Sequence, residues 1–230
     1  LGTWGKGLYH FDGDSVSRIP FPDPRVRYIT SLLTVNDKTY ISWFGSGIWE
    51  MNNKTFDMRM LPNFGRREAV DQLFRIPDGL LITTLQGMCY VTDENFTVRK
   101  SVRLPDDYGV TVLKDKIYRV SPFGQVDQLN SQLQLIKRNL FPEISSRITQ
   151  IVCYRDNFLV GTFGQGLYLY NQWGKLIRRL DKKSGLNTNI ITSLLVDGHR
   201  LFIGSNRGLI RADLPEFKAG LHFGKVTAVE

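Results

Sequence analysis

At 230 residues the chain holds one or two domains' worth of polypeptide. Its 42% hydrophobic and 23% charged residues exclude collagen, disordered tails and mucin-like stalks. Twenty-one Gly and 12% aromatics, with few Ala, exclude helix-rich coils and favour many short strands joined by tight turns. Thirty basic against 22 acidic residues leave a formal charge of +8, which raises the question of a polyanionic partner and leaves position to decide it.

In chain order, residues 1–4 read as a strand that turns at Gly5-Lys6-Gly7 into a second strand led by Gly7. Beginning mid-pattern without Met, the chain reads as a processed or excised piece of a longer protein. Arg18 lies on a following polar strand, and a loop carrying Arg25 and Arg27 leads to the apolar segment Ile29-Thr30-Ser31-Leu32. This sequence of parts then recurs. An alternating strand at 38–43 turns through Phe44-Gly45-Ser46-Gly47, a polar strand covers 56–61, and a loop with Arg66 and Arg67 leads to Val70-Asp71-Gln72-Leu73. Strands follow at 80–84, from Gly87, and at 97–104, and then Val110-Thr111-Val112-Leu113 and Gly124 open the next copy. The polar strand 133–139 and Arg147 precede Ile148-Thr149-Gln150-Ile151, strand 158–162 and Gly166. After 176–180 and Lys182-Lys183 come Ile191-Thr192-Ser193-Leu194, strand 200–204 and Gly208, and the chain ends on Val226-Thr227-Ala228-Val229.

The six glycine anchors at 7, 47, 87, 124, 166 and 208 are spaced by 40, 40, 37, 42 and 42 residues. Four antiparallel strands at a period near 40 specify a β-propeller, in one domain spanning 1–230. Helical repeats would need a 3.6 period, and leucine-rich repeats a shorter one. Because the chain starts on a second strand and ends on a first-strand pattern, residues 225–230 are expected to pair with the N-terminal three strands and close six blades; a slice of a longer propeller is the rival.

Nine of the 30 basic residues (Arg18, Arg59, Arg99, Lys100, Arg103, Lys137, Arg138, Arg178, Arg179) fall on the predicted fourth strands, where charge keeps an exposed edge from pairing with other chains. They lack clustering with stacking aromatics, so no nucleic-acid partner is expected. A second basic set, Arg25, Arg27, Arg66, Arg67, Arg147, Lys182 and Lys183, lies in the loops between fourth and first strands. The second-to-third-strand loops open on the same face and bring Trp4, Lys6, Phe44, Phe123, Phe163, Gln165, Asn206 and Arg207 towards it. Aromatics mixed with Arg, Asn and Gln suit a small polar or anionic ligand such as an oligosaccharide. The candidate ligand-binding residues are Trp4, Arg25, Arg27, Phe44, Arg66, Arg67, Arg147, Phe163 and Arg207.

Signals for chemistry are weak. His10, His199 and His222 stand far apart in repeat phase, and zinc-ligand spacings are absent. Ser46 sits in a hairpin loop without the strand-to-helix elbow of a nucleophile. The Gly-x-Gly turns open no helix, so they are read as turns and not as phosphate loops. Cys89 and Cys153 lie in apolar runs and read as small buried hydrophobes. Nothing calls for a cofactor or metal. No apolar run approaches the roughly 20 residues that span a bilayer, so no membrane span is expected.

The repeat resembles the two-component regulator propeller, the extracytoplasmic sensory repeat of bacterial hybrid and sensor histidine kinases. Its pattern is best matched by Ile191-Thr192-Ser193-Leu194, Asp197-Gly198, Phe202-Ile203-Gly204-Ser205 and Gly208-Leu209, and residues 29–48 and 148–167 match nearly as well. The copy at 110–126 departs, with Ser121-Pro122 where Gly-Thr is usual, and Tyr40, Leu81, Tyr118, Leu159 or Phe202 replaces the family's Trp. The resemblance implies a periplasmic, non-enzymatic ligand-sensing domain in signal transduction. Its partners would be an oligosaccharide or other small polar ligand and the downstream domains of the same receptor, with a homodimer compatible. A propeller lyase or hydrolase of polysaccharides, using His10 and His222 as acid and base, and a purely structural interaction scaffold are the alternatives.

Overall fold

The computed structural model describes residues 1–45, 47–64, 69–105, 108–214 and 227–229. Among the described residues, twenty-two strands form five four-stranded antiparallel sheets and one two-stranded sheet, and the only helical turns are two short 3-10 turns. The chain divides into two compact units, Leu1–Asp106 with Ser131–Gln134, and Asp107–Asn130 with Leu135–Glu230.

In the first unit, β1 (Leu8–Phe11) pairs with β2 (Val16–Ile19), and residues 1–4 extend that pair on the other side of β1 through a Gly2–Leu8 bridge. Next come β3 (Ile29–Val35), β4 (Lys38–Trp43), β5 (Ile48–Asn52) and β6 (Met58–Met60), paired in sequence order. A third sheet holds β7 (Val70–Ile76), β8 (Gly79–Thr84), β9 (Met88–Thr92) and β10 (Val98–Arg103). The second unit repeats the meander three times. Its sheets are β11 (Gly109–Leu113), β12 (Lys116–Val120), β13 (Val126–Leu129), β14 (Leu135–Lys137); β15 (Ile148–Tyr154), β16 (Asn157–Thr162), β17 (Leu167–Tyr170), β18 (Leu176–Leu180); and β19 (Ile191–Asp197), β20 (Arg200–Ser205), β21 (Gly208–Asp213), β22 (Thr227–Val229).

The second strands are buried on both faces, which is why they read as continuous apolar runs such as Leu80-Leu81-Ile82 and Phe158-Leu159-Val160. Each core lies between consecutive sheets. Val70, Leu73 and Ile82 of one sheet pack on Tyr40 and Ile48 of the sheet before it, and Ile191, Leu194 and Ile203 pack on Leu159, Leu167 and Leu169. Side chains from the first strands tie neighbouring sheets together. Thr30 Oγ1 donates to the Val70 carbonyl at 2.7 Å, and Gln150 Oε1 accepts from the Leu194 N–H at 2.7 Å. Full burial of one such Leu or Ile contributes about 1.5–3 kcal/mol, so the stability rests on contacts between sheets as much as on any one sheet.

The fourth strands occupy sheet edges, as their charge suggests, and a second device guards them. In β10, β14 and β18 the register shifts at the same place, leaving Arg99, Ile136 and Ile177 as bulged residues without a direct partner. A bulge twists an edge away from foreign strands and adds to the effect of the charges.

One expectation is corrected. Residues 227–229 do not pair with the N-terminal strands; β22 lies antiparallel to β21, with Leu209 opposite Val229 and Arg211 opposite Thr227. The outer edge of β21 offers a row of backbone donors and acceptors that a fourth strand satisfies. The pattern Val-Thr-Ala-Val has only the period of a strand, so it does not distinguish a first position in a sheet from a fourth.

Candidate functional site

Two loops of nearly identical sequence stand out. Gly2-Thr3-Trp4-Gly5-Lys6-Gly7-Leu8-Tyr9 in the first unit and Gly161-Thr162-Phe163-Gly164-Gln165-Gly166-Leu167-Tyr168 in the second fold to the same hydrogen-bonded turn. In each, the Thr hydroxyl donates to a glycine carbonyl at 2.7 Å (Thr3 to Gly7, Thr162 to Gly166). The same hydroxyl accepts the N–H of Lys6 or Gln165. The two glycine amides of each turn converge on one carbonyl of the incoming loop. Gly5 and Gly7 donate to Arg27 at 3.0 and 2.9 Å, and Gly164 and Gly166 donate to Asn189 at 3.1 and 2.9 Å.

Positive φ makes this pinning feasible. Gly7 and Gly166 lie at φ +83° and +87°, a region that a Cβ disfavours. At Gly166 a Cβ would also stand 2.2 Å from the Leu180 carbonyl oxygen. Fixed in this way, the aromatic residue of each turn points away from the core. Trp4 is 67% exposed and Phe163 54%.

Around Trp4 the neighbours are aromatic and cationic. Its indole contacts Tyr28 (5.2 Å, 70°) and Phe44 (5.4 Å, 72°), both edge to face, and those rings are themselves 42% and 52% exposed. The Phe44 N–H donates to the Tyr28 carbonyl at 2.8 Å. Arg27 is exposed and its Nε donates to the Pro24 carbonyl. Arg25 is engaged elsewhere: its guanidinium forks onto Asp23 two residues before it, at 2.7 Å, so its charge is matched within the turn.

Around Phe163 the neighbours are polar. Its N–H donates to the Arg147 carbonyl at 2.8 Å, and its carbonyl accepts from Ser146 Oγ at 3.0 Å. Gln165 bridges to Ser145 through both ends of its amide, and Asn189 Oδ1 accepts the Lys182 N–H. Arg207 Nη1 donates to the Asn187 carbonyl at 3.3 Å, and Thr188 Oγ1 donates to Asn206 Oδ1 at 2.9 Å. Asn187 Oδ1 is buried and accepts no hydrogen bond from the described residues.

Of the sequence-predicted residues, the structure therefore groups Trp4, Phe44 and Arg27 in one unit, and Phe163, Arg147 and Arg207 in the other. Arg66 and Arg67 lie outside the described residues, as do Ser46 and His222. Tyr28, Asn187 and Asn189 were missed. Tyr28 sits where each copy places the residue before its first strand, and the repeat phase could have found it.

Elsewhere, the copy at 121–125 keeps the turn but anchors it differently. Gln125 donates to Asp127, a carboxylate buried in β13 that also receives Arg119 at 2.7 Å and the Asn139 N–H at 2.9 Å. Burial alone would push this carboxyl up; the three donors outweigh it and hold it below its ordinary value. At the opposite end of β16, Tyr154, Arg155, Gly198, His199 and Leu214 line an open cleft of about 590 Å³. His10 packs on Phe56 at 5.3 Å. Cys89 and Cys153 are free, and burial pushes the Cys89 thiol up to about 12. Among the described residues no three metal-ligating side chains come together, and no helix is long and apolar enough to cross a membrane.

No known protein family's profile matches the chain, and no curated protein matches it either. Solved structures do. A computationally designed protein, Ika8, superposes with a TM-score of 0.65 at 12% identity, covering 88% of this chain and 62% of that one. PorZ, an essential bacterial surface component of the type-IX secretion system of Porphyromonas gingivalis, gives 0.66 at 16% identity, covering 95% and 37%. BamB from Moraxella catarrhalis gives 0.60 at 20% identity, covering 86% and 60%. The chain thus spans less than two thirds of each of these proteins. At such identities the likeness shows the fold alone, and that fold is the β-propeller kind.

Proposed function

We propose that this chain is a non-enzymatic ligand-sensing propeller module of a bacterial two-component sensor kinase, working on the periplasmic side and taking a small polar or anionic ligand such as an oligosaccharide. Its six repeats are read as six blades. The observation that carries the reading is the Phe163 turn: an exposed ring on a pinned backbone, with the Arg147 loop, the Gln165 amide and the Asn187–Asn189 carbonyls about it. A sugar ring offers an apolar face to stack on an aromatic ring and hydroxyls that both donate and accept, and this mouth supplies partners of each kind. Arg147 is exposed and pairs with no carboxylate among the described residues, which favours a ligand carrying negative charge. The repeat resemblance and the pinned, pre-ordered turn support a binding role, because a turn that is already rigid loses little entropy when a ligand docks.

Thermal-shift screening against neutral and acidic oligosaccharides tests the reading. A ligand that raises the unfolding midpoint, and does so no longer in Phe163→Ala or Arg147→Ala, is the expected result. A hit whose effect survives both substitutions would move the site elsewhere.

A further inference from the structure

The Trp4 turn has the same backbone as the Phe163 turn and a different chemistry around it. Three rings, each at least 42% exposed and with the Trp4 indole touching both of the others, form a larger apolar surface than scattered single aromatics, which are ordinary. Because Tyr28 and Phe44 each meet the indole at about a right angle (70° and 72°), they make walls of a corner and not a flat stacking platform. The backbone beneath is fixed at four points: Gly5 and Gly7 on the Arg27 carbonyl, Phe44 on the Tyr28 carbonyl, and the Ile29 N–H on the Thr3 carbonyl at 3.0 Å.

The three segments that build the corner, residues 3–7, 27–29 and 43–45, contain no Asn, Gln, Asp or Glu. They contribute two exposed cations, Lys6 and Arg27, neither of which pairs with a carboxylate among the described residues. A sugar presents several hydroxyls that need side-chain acceptors as well as donors, and the side chains here offer little of that kind. An apolar corner beside unpaired cations fits a ligand that combines one apolar group with carboxylates.

We propose that the Trp4–Tyr28–Phe44 corner is a docking site for an acidic peptide segment, which inserts one apolar or aromatic side chain between the rings and sets its carboxylates against Lys6 and Arg27. This goes beyond the oligosaccharide reading and does not depend on it, since it uses a different turn.

A random dodecapeptide display library panned on the whole chain tests it. The expected consensus is a single aromatic or Leu flanked by Asp or Glu. Its synthetic peptide should bind at least tenfold more weakly to Trp4→Ala and to the double variant Lys6→Glu/Arg27→Glu, and with little change to Lys6→Arg/Arg27→Lys. On the unaltered protein, the same peptide with Lys replacing its acidic residues should not bind. No enriched consensus, a neutral or basic one, or affinity indifferent to Trp4 would overturn the proposal. So would Trp4-dependent binding to vesicles of anionic phospholipid that the peptide does not displace, which would assign the corner to a membrane surface.

Discussion

The Trp4 and Phe163 turns share hydroxyl cap, double-glycine pin and exposed ring, and differ in what stands beside the ring. The register makes Tyr28 equivalent to Ile190 and Phe44 to Asn206, as Trp4 bridges to Tyr28 and Phe163 to Ile190, while Trp43 pairs with Ile29 and Ser205 with Ile191. The pinned carbonyl belongs to Arg27 in one copy and to Asn189 in the other. One backbone thus carries an aromatic, cationic corner in the first unit and an amide-rich mouth in the second. The repeat keeps the support, and the chemistry beside each ring is set by three or four neighbours that the support does not need.

The largest effect expected is on the support itself. Gly166→Ala forces a Cβ into positive φ and against the Leu180 carbonyl, so it should cost about 3 kcal/mol or more in urea unfolding. Gly7→Ala meets only the Val26 carbonyl, at 3.5 Å, and should cost only about 1 kcal/mol. Equal costs would contradict the closer approach of the neighbouring backbone at Gly166 than at Gly7.

The third variation on the turn, at Ser121–Gln125, depends on Asp127. Asp127→Asn leaves Arg119 without its buried partner and should cost about 3 kcal/mol at neutral pH. Because the folded carboxyl titrates below its ordinary value, this contribution is present above about pH 4 and is lost as pH falls through the folded value. The gap between parent and variant should therefore narrow as the pH is lowered below about 4; a gap that does not narrow in acid would contradict the ion-pair account.

Thr162 is fully buried and its hydroxyl makes two hydrogen bonds, so Thr162→Val should cost about 1–3 kcal/mol. Thr3 is half-buried, and Thr3→Val should cost less than about 1 kcal/mol because water can replace the lost bonds. Smallest of all, Phe163→Ala should shift stability by no more than about 0.5 kcal/mol, as expected of an exposed ring kept for something other than packing.

Much of this was legible in the sequence, for a physical reason. Strand order, glycine turns and the apolar second strands all follow local rules of alternation, burial and φ, and the 40-residue period multiplies each signal sixfold. The charged fourth strands could be read as edges from composition alone, although the bulges at Arg99, Ile136 and Ile177 could not, because a bulge is a matter of register between two strands. The placement of 227–229 was misread because any alternating tetrapeptide satisfies either edge of a sheet. The exposed turn positions of Trp4, Phe44 and Phe163 followed from their phase in the repeat. Asn187 and Asn189 were missed because their roles pass through backbone carbonyls that no motif spells out, whereas the repeat phase alone could have pointed to Tyr28. Arg25 shows the reverse case: its type suggested ligand binding, and the Asp two residues earlier takes its charge.

Titration calorimetry of two variants against two ligands tests the central comparison most directly. Trp4→Ala and Phe163→Ala would each be titrated with the selected acidic peptide and with the best oligosaccharide. The account predicts a crossed result: Trp4→Ala loses the peptide and keeps the sugar, and Phe163→Ala loses the sugar and keeps the peptide. If each variant lost both ligands, or neither lost any, the two turns would not be separate sites of different chemistry, and the account would fail.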